Sequence, residues 1–279
     1  MKRERLGNLE CWVTGEGPTV VLLHGFPDVP EGWHPVMERL ANRFRLVAPY
    51  MPGYAPSPTE GPFDVDSLCE QVDAHLVAAG NGEPVHLVGH DWGSVVAQQI
   101  LMRHPEHVKR AVTMAVPHPL TFLSHAATSP KQLALSTYMF FFQLPLLPEA
   151  TLRASNFALL RWLWTRWSPD VTLPEGYWEA LTACLDASLP APLAYYRGIL
   201  RPVVPQVKRM REASSLRIPH DVLYLCGQHD KAVGPEARRG QAKYFTGRLE
   251  EVELDAGHFL QLERPDEIAQ YIGDWLSRS

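Results

Sequence analysis

The segment Val85-His86-Leu87-Val88-Gly89-His90-Asp91-Trp92-Gly93-Ser94 limits the possible folds more than any other part of this chain. An apolar run enters, a polar residue sits inside a glycine-flanked turn, and Trp92 to Met102 continues with helical spacing. Joining strand to helix so abruptly requires glycines, because the backbone segments pass too closely to admit a Cβ. Such a turn lifts its central side chain above the end of the strand. The helix N-terminus behind it favours negative charge there. Asp is also a common helix N-cap, so the turn alone leaves Asp91 as either a reactive carboxylate or a cap.

Strand-like and helix-like segments alternate around this turn. Thr19 to Leu23, Phe44 to Ala48, Val85 to Val88 and Ala111 to Val116 read as buried strands. Trp33 to Leu40, Asp66 to Ala79 and Trp92 to Met102 read as the helices between them. From Thr121 to Gln206 no convincing strand occurs, and the segment is rich in helix formers, prolines and aromatics. Strand signals return at Asp221 to Cys226 and Leu249 to Leu254, and a last helix fits Pro265 to Leu276. The expected fold class is therefore α/β, a mainly parallel sheet flanked by helices with an inserted helical cap. The expected division is a first core segment over 1–120, a cap over 121–206 and a second core segment over 207–279.

Composition removes several classes of function. A net charge of -5 offers no basic face for nucleic acid. No run approaches the roughly 20 apolar residues that cross a bilayer. No apolar stretch follows the charged start Met1 to Arg5, so no signal peptide and a cytoplasmic location are expected. Cys11, Cys69, Cys184 and Cys226 lack metal-like spacing and read as buried reduced thiols. There is no phosphate loop and no dinucleotide motif, so neither cofactor nor metal is expected.

Two further segments bear on Asp91. Gly227-Gln228-His229-Asp230 follows one late strand, and Gly257-His258-Phe259 follows the next. Asp91, Asp230 and His258 thus fall at strand ends in the order nucleophile, acid, histidine. His24-Gly25-Phe26-Pro27 follows the first long strand, where a loop supplies one backbone N–H of an oxyanion hole. The N–H groups of Phe26 and Trp92 are assigned to that hole. Four placements in one consistent geometry favour a nucleophile over a cap.

With these motifs in place, nearly the whole chain resembles α/β-hydrolases with an aspartate nucleophile, the epoxide hydrolases and haloalkane dehalogenases. His24-Gly25-Phe26-Pro27 and Gly89-His90-Asp91-Trp92-Gly93 look most like the epoxide hydrolase versions. The resemblance implies an alkyl ester on Asp91, water activated by His258, and Asp230 orienting that imidazole. It also implies two lid tyrosines that donate to the epoxide oxygen. Tyr138, four residues before Phe142-Gln143, and Tyr196, before Arg197, match those lid motifs. Phe26, Trp92, Phe141, Phe142 and Phe259 are expected to line an apolar pocket. The implied partners are a small hydrophobic epoxide and water, and the chain is expected to be a monomer or homodimer. One departure lies in Pro49 to Ser57, which lacks the Asp and Arg of the family's Asp-x-Arg-Gly-x-Gly turn and leaves one pocket wall to be built differently.

Two rivals remain at this stage. A haloalkane dehalogenase would use the indole N–H of Trp92 and of a lid tryptophan such as Trp162 or Trp164 as halide donors. A hydrolase-fold ligand-binding protein would have lost catalysis, which the intact Asp91, Asp230 and His258 argue against. His24 is expected to hold its loop, and His90 to point sideways from the turn. His104, His107 and His229 read as surface residues rather than metal ligands.

Overall fold

Valines and leucines predominate at the centre of the sheet because helices cover both of its faces. The computed structural model describes residues 1–200, 212 and 215–278. Its strands are β1 (Lys2–Leu6), β2 (Leu9–Thr14), β3 (Thr19–Leu23), β4 (Arg45–Pro49), β5 (Val85–His90), β6 (Val108–Met114), β7 (Val222–Gly227) and β8 (Leu249–Leu254). They form one sheet in the order β1-β2-β4-β3-β5-β6-β7-β8. The β1–β2 and β2–β4 pairs are antiparallel, and every later pair is parallel.

Alternate residues of a strand enter opposite cores. Val21 and Leu23 of β3 join one buried cluster, while Val20 and Leu22 join the other. Each such side chain contributes about 1.5–3 kcal/mol on burial. That two-sided burial fixes the register, since a one-residue slip would exchange the faces.

Helices α1 (His34–Leu40), α2 (Val65–Ala79) and α3 (Trp92–Arg103) connect the early strands. The side chain of Asp64 caps α2 by accepting from the Ser67 N–H. Between β6 and β7, the described residues contain helices and no strand. These are α4 (Pro119–Thr128), α5 (Pro130–Leu135), α6 (Thr137–Phe141), α7 (Leu147–Arg153), α8 (Ala158–Trp167), α9 (Tyr177–Ser188) and α10 (Ala191–Leu200). β6 and β7 are nonetheless direct neighbours, so the helical stretch is an excursion from one continuous sheet. The expected cap limit at Gln206 and the restart at residue 207 lie outside the described residues. Among the described residues, no helix is long and apolar enough to cross a membrane. All four cysteines are free and buried.

Candidate active site

Asp91 sits between β5 and α3 with φ 53° and ψ −117°, a backbone conformation that costs an L-residue roughly 1–3 kcal/mol. Close packing enforces it. A Cβ on Gly93 would lie 2.2 Å from the Leu23 carbonyl oxygen, and one on Gly25 would lie 2.2 Å from Asp91 Oδ1. The Asp91 carboxylate is no cap, because its side chain makes no bond to the helix it precedes. Instead, Oδ1 accepts the Phe26 N–H at 2.8 Å. Trp92 opens α3, so its N–H belongs to the first-turn donors that have no partner within the helix.

The other two members of the expected triad come from the ends of β7 and β8. His258 Nδ1 lies 2.8 Å from Asp230 Oδ2, and His258 Nε2 lies 3.5 Å from Asp91 Oδ2. The second distance is within ion-pair range and longer than a normal hydrogen bond. Asp230 is itself held, with Oδ1 accepting from the N–H groups of Ala232 and Val233 at 2.7 and 2.8 Å. Burial disfavours a charged His258 ring, but the flanking Asp230 and Asp91 carboxylates outweigh it and push its pKa up to about 10. Burial likewise disfavours the Asp91 carboxylate, yet His258 and the Phe26 N–H hold its pKa below the usual value.

Supporting residues that the sequence did not disclose lie beneath this triad. Burial drives His90 down to about 3 and keeps it neutral. Its Nε2 donates to the His258 carbonyl at 2.8 Å, so it steadies the loop that carries His258. Gln261 Nε2 donates to Asp28 Oδ2 at 3.0 Å. Asp28 also accepts from the Val29 N–H and the Tyr177 hydroxyl, and burial raises its carboxyl to about 7. The position of Asp28 directly after His24-Gly25-Phe26-Pro27 was the available signal. His24 holds its loop as expected, accepting from the Met51 N–H at 3.1 Å. His229 pairs with Asp255 in an exposed contact.

The helical excursion brings both lid tyrosines over Asp91. Tyr138 and Tyr196 line one cavity with Asp91, Trp92, Val95 and Met139. Their rings meet edge to face, with centroids 5.9 Å apart. The motif residues beside them explain this pairing. Gln143 donates to the Tyr196 carbonyl at 2.8 Å, and Arg197 donates to the Phe142 and Leu144 carbonyls at 3.0 and 2.7 Å. The neighbouring Tyr195 is committed elsewhere, donating to the Pro52 carbonyl. Burial holds the hydroxyls of Tyr138 and Tyr196 above the ordinary tyrosine pKa, so both keep their protons.

The pocket wall differs from expectation. Of the five aromatics expected there, Trp92 lines the cavity, while Phe26, Phe141, Phe142 and Phe259 do not. Phe26, Phe142 and Phe259 join the helical excursion to the rest of the fold, and Phe141 packs within it. Phe26 packs edge-on against Phe142 and Tyr196, Phe141 against Phe142, and Phe259 stacks on Trp164 at 3.4 Å. Val116, Leu120, Phe122, Leu123 and Ile199 supply the apolar wall instead. Residues 49–57 contribute no wall either. That loop anchors His24 and Tyr195 through Met51 and Pro52.

Comparison with known proteins agrees with this architecture. Residues 18–265 match the family model described as alpha/beta hydrolase fold. The chain is 31% identical to Epoxide hydrolase 3 of Xenopus tropicalis, over 93% of its own length and 71% of that protein. It is 28% identical to Epoxide hydrolase 4 of Homo sapiens, over 93% and 72%. A solved epoxide hydrolase of Bacillus megaterium, in complex with an inhibitor, superposes with a TM-score of 0.83 at 24% identity. The match covers 99% of this chain and 100% of that one, and it speaks for the fold.

Proposed function

The chain belongs to the epoxide hydrolases of the alpha/beta hydrolase fold, and from that membership we propose that it converts a small hydrophobic epoxide to a vicinal diol through an ester on Asp91. The observation that carries this reading is one cavity shared by a buried carboxylate and two phenols. A carboxylate is already ionised and attacks an sp³ carbon without a base. An epoxide oxygen leaves as an alkoxide and needs an acid, which a positioned phenol can supply.

The geometry supports a two-step sequence. Asp91 Oδ1 is held by the Phe26 N–H, so Oδ2 is the oxygen left to attack. The new carbon–oxygen bond forms as the ring carbon–oxygen bond breaks, and Tyr138 or Tyr196 gives its proton to the departing oxygen. Water then adds to the Asp91 carboxyl carbon while His258 Nε2 takes a proton from it. The resulting oxyanion is met by the N–H groups of Phe26 and Trp92. Its collapse expels an alkoxide, which takes the carboxyl proton to leave as the diol and restores the carboxylate.

The high pKa of His258 orders these steps. With Asp91 ionised, His258 is flanked by two carboxylates and holds its proton. Esterification turns Asp91 neutral and removes one of those charges, so the imidazole gives its proton to the tyrosinate left by ring opening and becomes a base only once there is an ester to hydrolyse.

The size of the cavity supports a small substrate. About 140 Å³ is below the roughly 300–1,000 Å³ usual for drug-sized ligands. The dehalogenase reading loses its second halide donor. Trp164 Nε1 already donates to the Pro27 carbonyl at 3.0 Å, and Trp162 is 54% exposed on the surface. The test is incubation with a panel of aryl and alkyl epoxides and haloalkanes. Diol formation from epoxides without halide release is the expected result, and halide release without diol would reject the proposal.

A further inference from the structure

A second cluster of reactive side chains lies where the turn after α3 meets α2. His104 and His107 flank Pro105-Glu106 in that turn, and α2 presents Glu70 and Asp73 to them. His104 Nε2 lies 3.1 Å from Glu70 Oε1. A carboxylate only accepts, so Nε2 carries the proton, and in the neutral ring the Nδ1 lone pair is free. That Nδ1 lies 3.9 Å from Asp73 Oδ2. His107 Nδ1 lies 2.8 Å from Asp73 Oδ1, and the two imidazoles run nearly parallel, with centroids 6.1 Å apart. One ligand atom each from Asp73, His104 and His107 falls within 4.8 Å of the others.

We propose that Asp73, His104 and His107 form a binding site for a zinc-type divalent transition metal, with Glu70 orienting His104. Tetrahedral zinc with bonds of about 2.0–2.2 Å needs donors roughly 3.3–3.5 Å apart. A metal would displace the proton that now joins His107 Nδ1 to Asp73 Oδ1 at 2.8 Å, parting those two atoms, while His104 Nδ1 closes in from 3.9 Å to Asp73 Oδ2. Two imidazoles and a carboxylate suit zinc, copper or nickel, whereas magnesium and calcium prefer oxygen alone. The Glu70–His104 contact is the carboxylate–histidine–metal arrangement that fixes a ligand's tautomer. Asp73 is mostly buried and both histidines are partly exposed, which gives a fixed anchor with access from solvent. A grouping of Cys69, Glu70 and His104 shares two of these residues, but Cys69 is packed in the apolar core. Sequence spacing hid the site, because its carboxylates lie some 30 residues before its histidines. His104 lies 13 residues beyond Asp91, about 20 Å at 1.5 Å per helical residue, so the metal would brace α2 against the α3 turn without touching the reaction. The inference is independent of the proposed chemistry at Asp91.

Calorimetric titration of the whole protein with zinc chloride tests it, with cobalt absorption as a second readout of ligand geometry. One saturable equivalent is expected, with no binding of magnesium chloride. Glu70→Ala should weaken zinc by about 10- to 100-fold, although its carboxylate is not a ligand. Zinc should raise the melting temperature of the wild type and leave that of the folded His104→Gln/His107→Gln variant unchanged. Epoxide turnover without added metal should be the same in both. Absence of saturable zinc uptake, or uptake that survives the double substitution, would overturn the site.

Discussion

His258 and the tyrosines divide the proposed reaction into halves that substitution can separate. In His258→Gln, Asp91 still attacks but water is not activated. Epoxide treatment should therefore leave a stable adduct on Asp91, visible as an added substrate mass in the intact protein, while diol formation stops. A folded variant without the adduct would remove the ester from the mechanism. Acid catalysis is worth about 10²–10⁴-fold. With two donors sharing it, Tyr138→Phe and Tyr196→Phe should each slow ring opening about 10- to 100-fold in single turnovers. Tyr195→Phe supplies the control, because its hydroxyl is bound to Pro52 and faces the loop. Equal losses at Tyr195 and Tyr196 would make the effect one of packing.

Among the elements, the glycine-flanked turn carries the site, and its tolerance to added volume can be calculated from contacts. A methyl group on Gly25 would overlap Asp91 Oδ1 at 2.2 Å. Gly25→Ala must therefore displace the carboxylate from the Phe26 N–H, and displacements of about 1 Å cost roughly 10²-fold in rate. Turnover should fall by about that factor while the far-ultraviolet circular dichroism stays native; an unchanged rate would mean the carboxylate need not sit where it does. This turn was legible in the sequence because it combines strand, glycine, charge and helix in ten residues. The parallel strands were legible as unbroken apolar runs. The β1–β2 hairpin was not. β1 is an edge strand of charged residues, Lys2 to Arg5, with little to bury. β2 does alternate Leu9, Cys11 and Val13 inward, a period-2 signal masked by its shortness. The cavity wall was least legible, since an aromatic gives no sign in sequence of whether it lines a pocket or fastens the cap.

For the molecule as a whole, buried titrating groups set a stability optimum near neutral pH. Burial lowers His24 and His86 to about 4 and His90 and His118 to about 3. The unfolded chain takes up these protons near pH 6.5 while the folded protein refuses them, so stability is lost as pH falls from about 6.5 toward 4. Asp28, raised to about 7, binds one proton in the folded state over part of this range and offsets one of the four. On the alkaline side the sign reverses. His258 keeps its proton to about 10 when folded and releases it near 6.5 when unfolded, so its contribution is full below 6.5 and shrinks as pH rises. Above about pH 9 the thiols of Cys11, Cys69, Cys184 and Cys226, raised to about 12 by burial, add a loss of their own. Asp28 and the four histidines still exchange protons just above pH 6.5, so His258 is isolated by comparing the wild type with His258→Gln over pH 6.5–8.5. Across that range, the stability of the wild type should fall relative to that of His258→Gln, by up to about 1.4 kcal/mol per pH unit for one proton. The same proton must be surrendered before His258 can activate water, so parallel slopes in the two proteins would remove both the stabilising ion pair and the ordering of steps that rests on it.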